Sequence, residues 1–126
     1  MIAGVGLDLV EIDRMADVLA RNGDRFLDRV LHPDDDRRRL ETKEGPTHLA
    51  GLFALKEAVM KALGTGMAGA NFADIRIRHH DTGQPYVELE GTAAERAAAM
   101  GITGWQVSIT HSKSNAAAVA IALSSS

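Results

Sequence analysis

Hydrophobic positions change period several times along the 126 residues, and each change marks an element boundary. Ile2 to Val10 is apolar and β-branched around small glycines, which predicts a buried strand. From Glu11 to Arg21 the period is helical, with Ile12, Met15, Ala16 and Leu19 on one face. Asn22-Gly23 predicts a break before a short helical piece, Arg25 to Leu31. Pro33 followed by acids predicts a helix start leading into Asp35–Lys43. Gly45-Pro46 punctuates the chain. Thr47 is the expected N-cap of the longest helix, His48 to Leu63, which Gly64 and Gly66 end. A strand Asp74 to Arg78, a turn at Asp81-Thr82-Gly83 and a strand Tyr86 to Leu89 follow. The Ala-rich run Thr92 to Met100 is a helix closed by Gly101. Trp105 to Thr110 and Ala116 to Leu123 make a final hairpin. With no repeat or linker, residues 1–126 are expected to form one domain. The element order predicts an α+β fold, its helices packed on one mainly antiparallel sheet.

Composition narrows the function. A hydrophobic content of 45% with only 4% aromatics means a core of Ala, Val, Leu and Ile. The absence of cysteine excludes disulfides and thiolate metal sites. A net charge of −3 leaves no basic excess for a nucleic-acid backbone. The first 15 residues carry no basic leader, and Asp8 interrupts their short apolar run. Neither a signal peptide nor a membrane span is expected, and the cytoplasm is the expected compartment. A chain this short leaves much of its surface exposed, so oligomerisation would add burial.

Two acids stand out. Asp8 shares a strand face with Gly4, Gly6 and Val10, while Val5, Leu7 and Leu9 are expected to fill the other. A carboxylate in an apolar strand needs a cation or good hydrogen bonds. Either a buried Arg or backbone N–H groups could satisfy it, and the small glycines leave room for another group to approach. Glu57 lies on a helical stripe with Phe53, Lys61 and Gly64, beside Met60. Glu57 and Lys61 could form a surface i,i+4 pair, but the apolar members of the stripe indicate a partly covered face. Two hard oxygen ligands without a nearby His or Cys suit Mg²⁺, and Lys61 would add a point charge for a phosphate. Gly64-Thr65-Gly66 follows a helix C-terminus, the wrong end for a phosphate loop. His79 and His80 point to opposite strand faces and cannot chelate together. The acid-base run Asp34 to Arg39 reads as a solvated helix start without chemistry.

Residues 4–12, Gly-Val-Gly-Leu-Asp-Leu-Val-Glu-Ile, and 53–66, Phe-Ala-Leu-Lys-Glu-Ala-Val-Met-Lys-Ala-Leu-Gly-Thr-Gly, resemble the two signature motifs of the holo-acyl-carrier-protein synthases, the small 4′-phosphopantetheinyl transferases. The similarity continues through residues 83–86 and 107–112. The resemblance implies transfer of phosphopantetheine from coenzyme A to a serine of an apo acyl carrier protein, in support of fatty acid or polyketide synthesis. It implies Mg²⁺ on Asp8 and Glu57, Lys61 and Gly64 beside the coenzyme phosphates, and Pro85, Thr110 and His111 lining the coenzyme pocket. It also implies a homotrimer with active sites between subunits. Glu57, directly or through a water, is the expected base, with His111 as its rival. Many members carry an Arg where this chain has Leu52, which puts part of the nucleotide recognition in doubt.

Arg14, Arg21, Arg25 and Arg29 are spaced as on one helical face, with Val18 and Phe26 near them. Acyl carrier proteins are acidic, so Arg14, Val18, Arg21, Arg25 and Phe26 are the expected docking surface. The acids Asp13, Asp17, Asp24 and Asp28 form an adjacent stripe that could instead neutralise the arginines. A non-catalytic binding module and a Mg²⁺-dependent hydrolase are the competing functions.

Overall fold

The computed structural model describes residues 1–35, 37–65 and 71–125. In chain order these form β1 (Ile2–Glu11), α1 (Ile12–Val30), a 3-10 turn (Arg38–Glu41), α2 (Gly45–Leu63), a second 3-10 turn (Phe72–Asp74), β2 (Ile75–His79), β3 (Pro85–Leu89), α3 (Gly91–Ala99), β4 (Ile102–His111) and β5 (Asn115–Ser124). The α+β class is as expected, but the strands form two antiparallel sheets, not one. β1, β5 and β4 pair in that order, and β2 pairs with β3 alone. Alternation marks a strand without saying which ladder it joins, and β3 lies against β4 without pairing to it.

Helix α2 covers one face of the three-stranded sheet. It is apolar on nearly every side and buried from Leu49 to Leu63 except at Glu57 and Lys61, as a central helix should be. Its floor is the alanine row Ala116, Ala118, Ala120 and Ala122 of β5, all buried. At Gly6 an added Cβ would collide with the Ala58 carbonyl, and at Gly4 with that of Ala62. The space beside Asp8 is therefore taken by the α2 backbone itself, which seats the helix directly on β1.

The opposite sheet face departs from expectation. Val5, Leu7 and Leu9 are 57%, 65% and 66% exposed, because among the described residues no element forms a second layer over them. Helix α1 also departs: it runs through Asn22-Gly23 without a break. An interior glycine costs about 1 kcal/mol. Burial of Ile12 and Met15 before it and Leu27 and Val30 after it outweighs that cost. Thr47 lies inside α2, which begins at Gly45 with Pro46 in its first turn. Gly64 ends α2 at φ 72° and ψ 15°, as expected; Gly66 lies outside the described residues.

The helix expected over Asp35–Lys43 shrinks to the turn at Arg38–Glu41, and the reason is a buried ion pair. Lys56 Nζ, from the middle of α2, donates to Asp35 Oδ2 at 2.8 Å, to the Val30 carbonyl at 2.9 Å and to that of Phe72 at 3.2 Å. Asp35 also accepts the His32 amide at 2.9 Å and the Ile77 amide at 3.2 Å. The Lys56 and Asp35 side chains are 0% and 1% exposed. Pulling Asp35 inward ties the end of α1, the α1–α2 connection and β2 to α2, at the expense of a helix there. Burial lowers the Lys56 pKa, and the charge and hydrogen bond of Asp35 act against that shift. Among the described residues no helix is long and apolar enough to cross a membrane.

Candidate active site

β1 is an edge strand, so one side of its backbone stays unpaired by β5. Asp8, opposite Ala118, points toward α2, and its side chain is 10% exposed. The seating of α2 on Gly4 and Gly6 brings Glu57 and Lys61 to the same place. Lys61 Nζ donates to Asp8 Oδ1 at 3.1 Å and to the Leu7 carbonyl at 2.9 Å. Asp8 Oδ2 is buried and, among the described residues, has no hydrogen-bond partner. The half-buried Glu57 carboxyl lies beside Asp8, and the two share a hydrogen bond only when one of them holds a proton. Burial first, then the Asp8 carboxylate, raises the Glu57 pKa; Lys61 and Arg14 act more weakly in the other direction.

Sequence spacing pairs Lys61 with Glu57. The structure instead bonds Lys61 to Asp8, 53 positions earlier, and adds Arg14 to the groups acting on Glu57. Among the described residues no three His, Cys, Asp or Glu side chains gather to cage a metal. Two carboxylates and an unsatisfied buried oxygen still fit Mg²⁺, which commonly takes one or two carboxylates and fills its octahedron with water and phosphate oxygens. A closed cage would suit a structural ion; an open pair suits one that must also touch a substrate.

A second cavity, of about 250 Å³, has Pro85, His111 and Leu52 in its wall, with Arg39, His48 and His79 among its polar neighbours. Leu52 is buried, and Arg39 supplies a permanent cation to the cavity. Thr110 lies opposite Ala117, on the uncovered face of the sheet. These residues sit on or near β4, the opposite edge from β1, with β5 between them. One chain thus brings Asp8, Glu57 and Lys61 together, and Pro85 and His111 together, but does not join the two groups. Gly64 stays with the first group, one turn beyond Lys61 at the end of α2. His80 stacks on Tyr86 with ring centres 4.3 Å apart.

The arginine stripe is continuous because α1 is continuous. Arg14, Val18, Arg21, Arg25 and Phe26 line one groove of about 540 Å³, together with Asp17 and Arg29. Phe26 is held by Phe53 at a ring separation of 5.6 Å. Asp28, of the neighbouring acidic stripe, pairs with Arg37 at 3.2 Å. Sequence reasoning missed the Lys56–Asp35 pair, although a lysine flanked by Leu55 and Val59 on a buried helix was the available signal.

An open pair of carboxylates thus stands beside a lysine, set on an edge strand by a helix seated on glycines. The chain belongs to the 4′-phosphopantetheinyl transferase superfamily, whose family model matches residues 4–122. It is 49% identical over 123 residues to the holo-[acyl-carrier-protein] synthase of Solidesulfovibrio magneticus, covering 96% of this chain and 98% of that protein. Its fold is similar to the holo-[acyl-carrier-protein] synthase of Neisseria meningitidis, with a TM-score of 0.88, 30% identity and coverage of 98% and 99%. It is also similar to the Helicobacter pylori holo-[acyl-carrier-protein] synthase solved in complex with coenzyme A, with a TM-score of 0.81, 31% identity and coverage of 94% and 99%.

Proposed function

We propose that the Asp8–Glu57–Lys61 cluster is the centre of a magnesium-dependent holo-[acyl-carrier-protein] synthase. The chain transfers the 4′-phosphopantetheine group of coenzyme A to a serine of an apo acyl carrier protein and releases adenosine 3′,5′-bisphosphate. The observation that carries the site assignment is the carboxylate pair itself, with one oxygen buried and unsatisfied. Asp8 and Glu57 would hold Mg²⁺, which when bound neutralises charge on the pyrophosphate and on the leaving group. Lys61 places its ammonium against a coenzyme phosphate beside Gly64. The serine oxygen bonds to the β-phosphorus as the bond to the bisphosphate breaks, and Glu57 takes the serine proton directly or through one water. Positioning and charge neutralisation supply most of the rate in such a transfer.

Pro85, Thr110 and His111 complete the coenzyme pocket from a neighbouring subunit of a homotrimer. Two features support this: the pocket residues lie at the opposite sheet edge from Asp8, and Val5, Leu7 and Leu9 form an uncovered apolar face beside Val119 and Ile121. Leu7→Lys should give monomers by light scattering and lower the transfer rate at least tenfold, on the order of 1.4 kcal/mol; a trimer of normal activity would refute the assignment.

The α1 groove takes the acidic carrier, of fatty acid or polyketide type, in the cytoplasm. Arg21→Glu combined with Arg25→Glu should raise KM for the carrier about tenfold with little change in kcat, and should flatten the salt dependence. An unchanged KM would leave the stripe as a solvated face. Arg14 is a poorer probe because it also acts on Glu57.

The whole reading is tested by incubating the protein with coenzyme A, Mg²⁺ and an apo carrier, and following the carrier's intact mass. A gain of one phosphopantetheine is expected. No gain from folded protein would overturn the reading, and bisphosphate release without a carrier would favour a hydrolase.

A further inference from the structure

We infer that Lys61 has a second task in the free enzyme: its ammonium occupies the cation position on Asp8 and leaves it when coenzyme phosphate arrives. This rests on the reading of Asp8 and Glu57 as the magnesium pair.

The contact geometry carries the inference. Lys61 Nζ is bonded to Asp8 Oδ1 at 3.1 Å and anchored by the Leu7 carbonyl at 2.9 Å. Asp8 Oδ2 is buried without a partner among the described residues, and the Glu57 carboxyl interacts with the Asp8 carboxylate. Two carboxylates this close repel unless a positive charge stands between or against them. The Lys61 ammonium is that charge.

Lys61 is free to move in a way that Lys56 is not. The Lys61 side chain is 52% exposed and lines an open cavity with Leu7, Leu9 and Ala117, whereas Lys56 is fully buried on three acceptors. A phosphate oxygen of coenzyme A offers an ammonium a partner at least as good as a carboxylate. Once Lys61 turns to that phosphate, Asp8 is released and the pair becomes a stronger ligand for a divalent cation. Cation and coenzyme therefore favour each other, and by linkage the favour is mutual. In the free enzyme, Lys61 and the cation compete for one oxygen.

The test measures Mn²⁺ binding by electron paramagnetic resonance of the free ion, with and without coenzyme A, after subtracting Mn²⁺ held by coenzyme alone. Wild type should bind Mn²⁺ at least about tenfold more tightly when coenzyme is present. Lys61→Met should bind Mn²⁺ without coenzyme about tenfold more tightly than wild type, and coenzyme, which still offers the cation its phosphate oxygens, should then add at least about threefold less than it adds to wild type. Arg14→Met is the control, since it removes a positive charge acting on Glu57 without releasing Asp8; its effect should stay below about threefold.

Unchanged or weaker Mn²⁺ binding by Lys61→Met would overturn the inference, as would an equal gain in Arg14→Met, which would reduce the effect to net charge. Failure of wild type to bind Mn²⁺ even with coenzyme would overturn the magnesium reading first, and this inference with it. Transfer by wild type in the carrier assay separates these cases.

Discussion

Glu57→Gln should lose transfer by about a thousandfold or more, on the order of 4 kcal/mol of transition-state stabilisation, and yet melt higher than wild type when both are free of metal. The two effects have one cause. Burial and the Asp8 carboxylate raise the Glu57 pKa, so the ionised side chain is a source of strain in the folded state. Glutamine keeps the shape and the hydrogen-bonding capacity of the neutral acid and removes the charge. A raised folded pKa means that the group's contribution to stability is fully present below its ordinary value of 4.5 and is lost as pH rises through the folded pKa. The melting advantage of glutamine should therefore be absent at low pH and grow toward neutrality. Asp8→Asn should lose transfer to the same degree, while its melting gain is smaller because the Lys61 contact at 3.1 Å loses its charge. Calorimetry with a chelator, paired with the carrier mass assay, checks both halves. A Glu57→Gln protein that transfers normally would remove Glu57 from the site; one that melts lower at neutral pH would show that the carboxylate pair is not strained. Trading stability for an arranged charge cluster is common where a site must bind something absent from the resting protein.

Lys56→Ala should cost about 3–5 kcal/mol of unfolding free energy, enough to threaten folding of a small domain. The ion pair is wholly buried, and removing the ammonium strands the Asp35 charge together with the Val30 and Phe72 carbonyls. Asp35→Ala should cost a similar amount, since it strands Lys56 and the amides of His32 and Ile77. Replacing both partners, as in Lys56→Met with Asp35→Leu, should recover much of the loss, because an apolar pair needs no compensation. Urea denaturation of the four proteins makes the comparison, and additive single-mutant losses would argue against a coupled pair. The pair also bears on function by position. Lys56 precedes Glu57, so the tie holding α2 to the α1–α2 connection acts one residue from the carboxylate cluster.

Much of the fold was legible because its rules are local. The β1 pattern, the α2 run with its Gly64 terminus, and the hairpin of β4 and β5 were each set by periodicity and turn residues within a few positions. The candidate residues Asp8, Glu57 and Lys61 were legible for a similar reason, as polar groups standing on otherwise apolar elements. The N-cap expected at Thr47 was a local error, since α2 starts earlier with Pro46 in its first turn; the larger errors came from interactions distant in sequence. Asn22-Gly23 looked like a break until burial on both sides of it held α1 together. The run from Asp34 looked like a solvated helix start until Asp35 was drawn in by Lys56, 21 positions away.

The sequence by itself singled out Asp8, Glu57 and Lys61 as candidates and spaced Arg14, Arg21, Arg25 and Arg29 as on one helical face. Those assignments need only residue chemistry and a period. The tertiary structure alone decided how they meet. Seating α2 on Gly4 and Gly6 put Glu57 and Lys61 against Asp8, bonded Lys61 to Asp8 in place of its helix neighbour Glu57, and left one Asp8 oxygen unsatisfied. It also set Pro85 and His111 at the far sheet edge and left Val5, Leu7 and Leu9 uncovered. Contacts between residues some fifty positions apart depend on which elements pack together, and no local pattern specifies that.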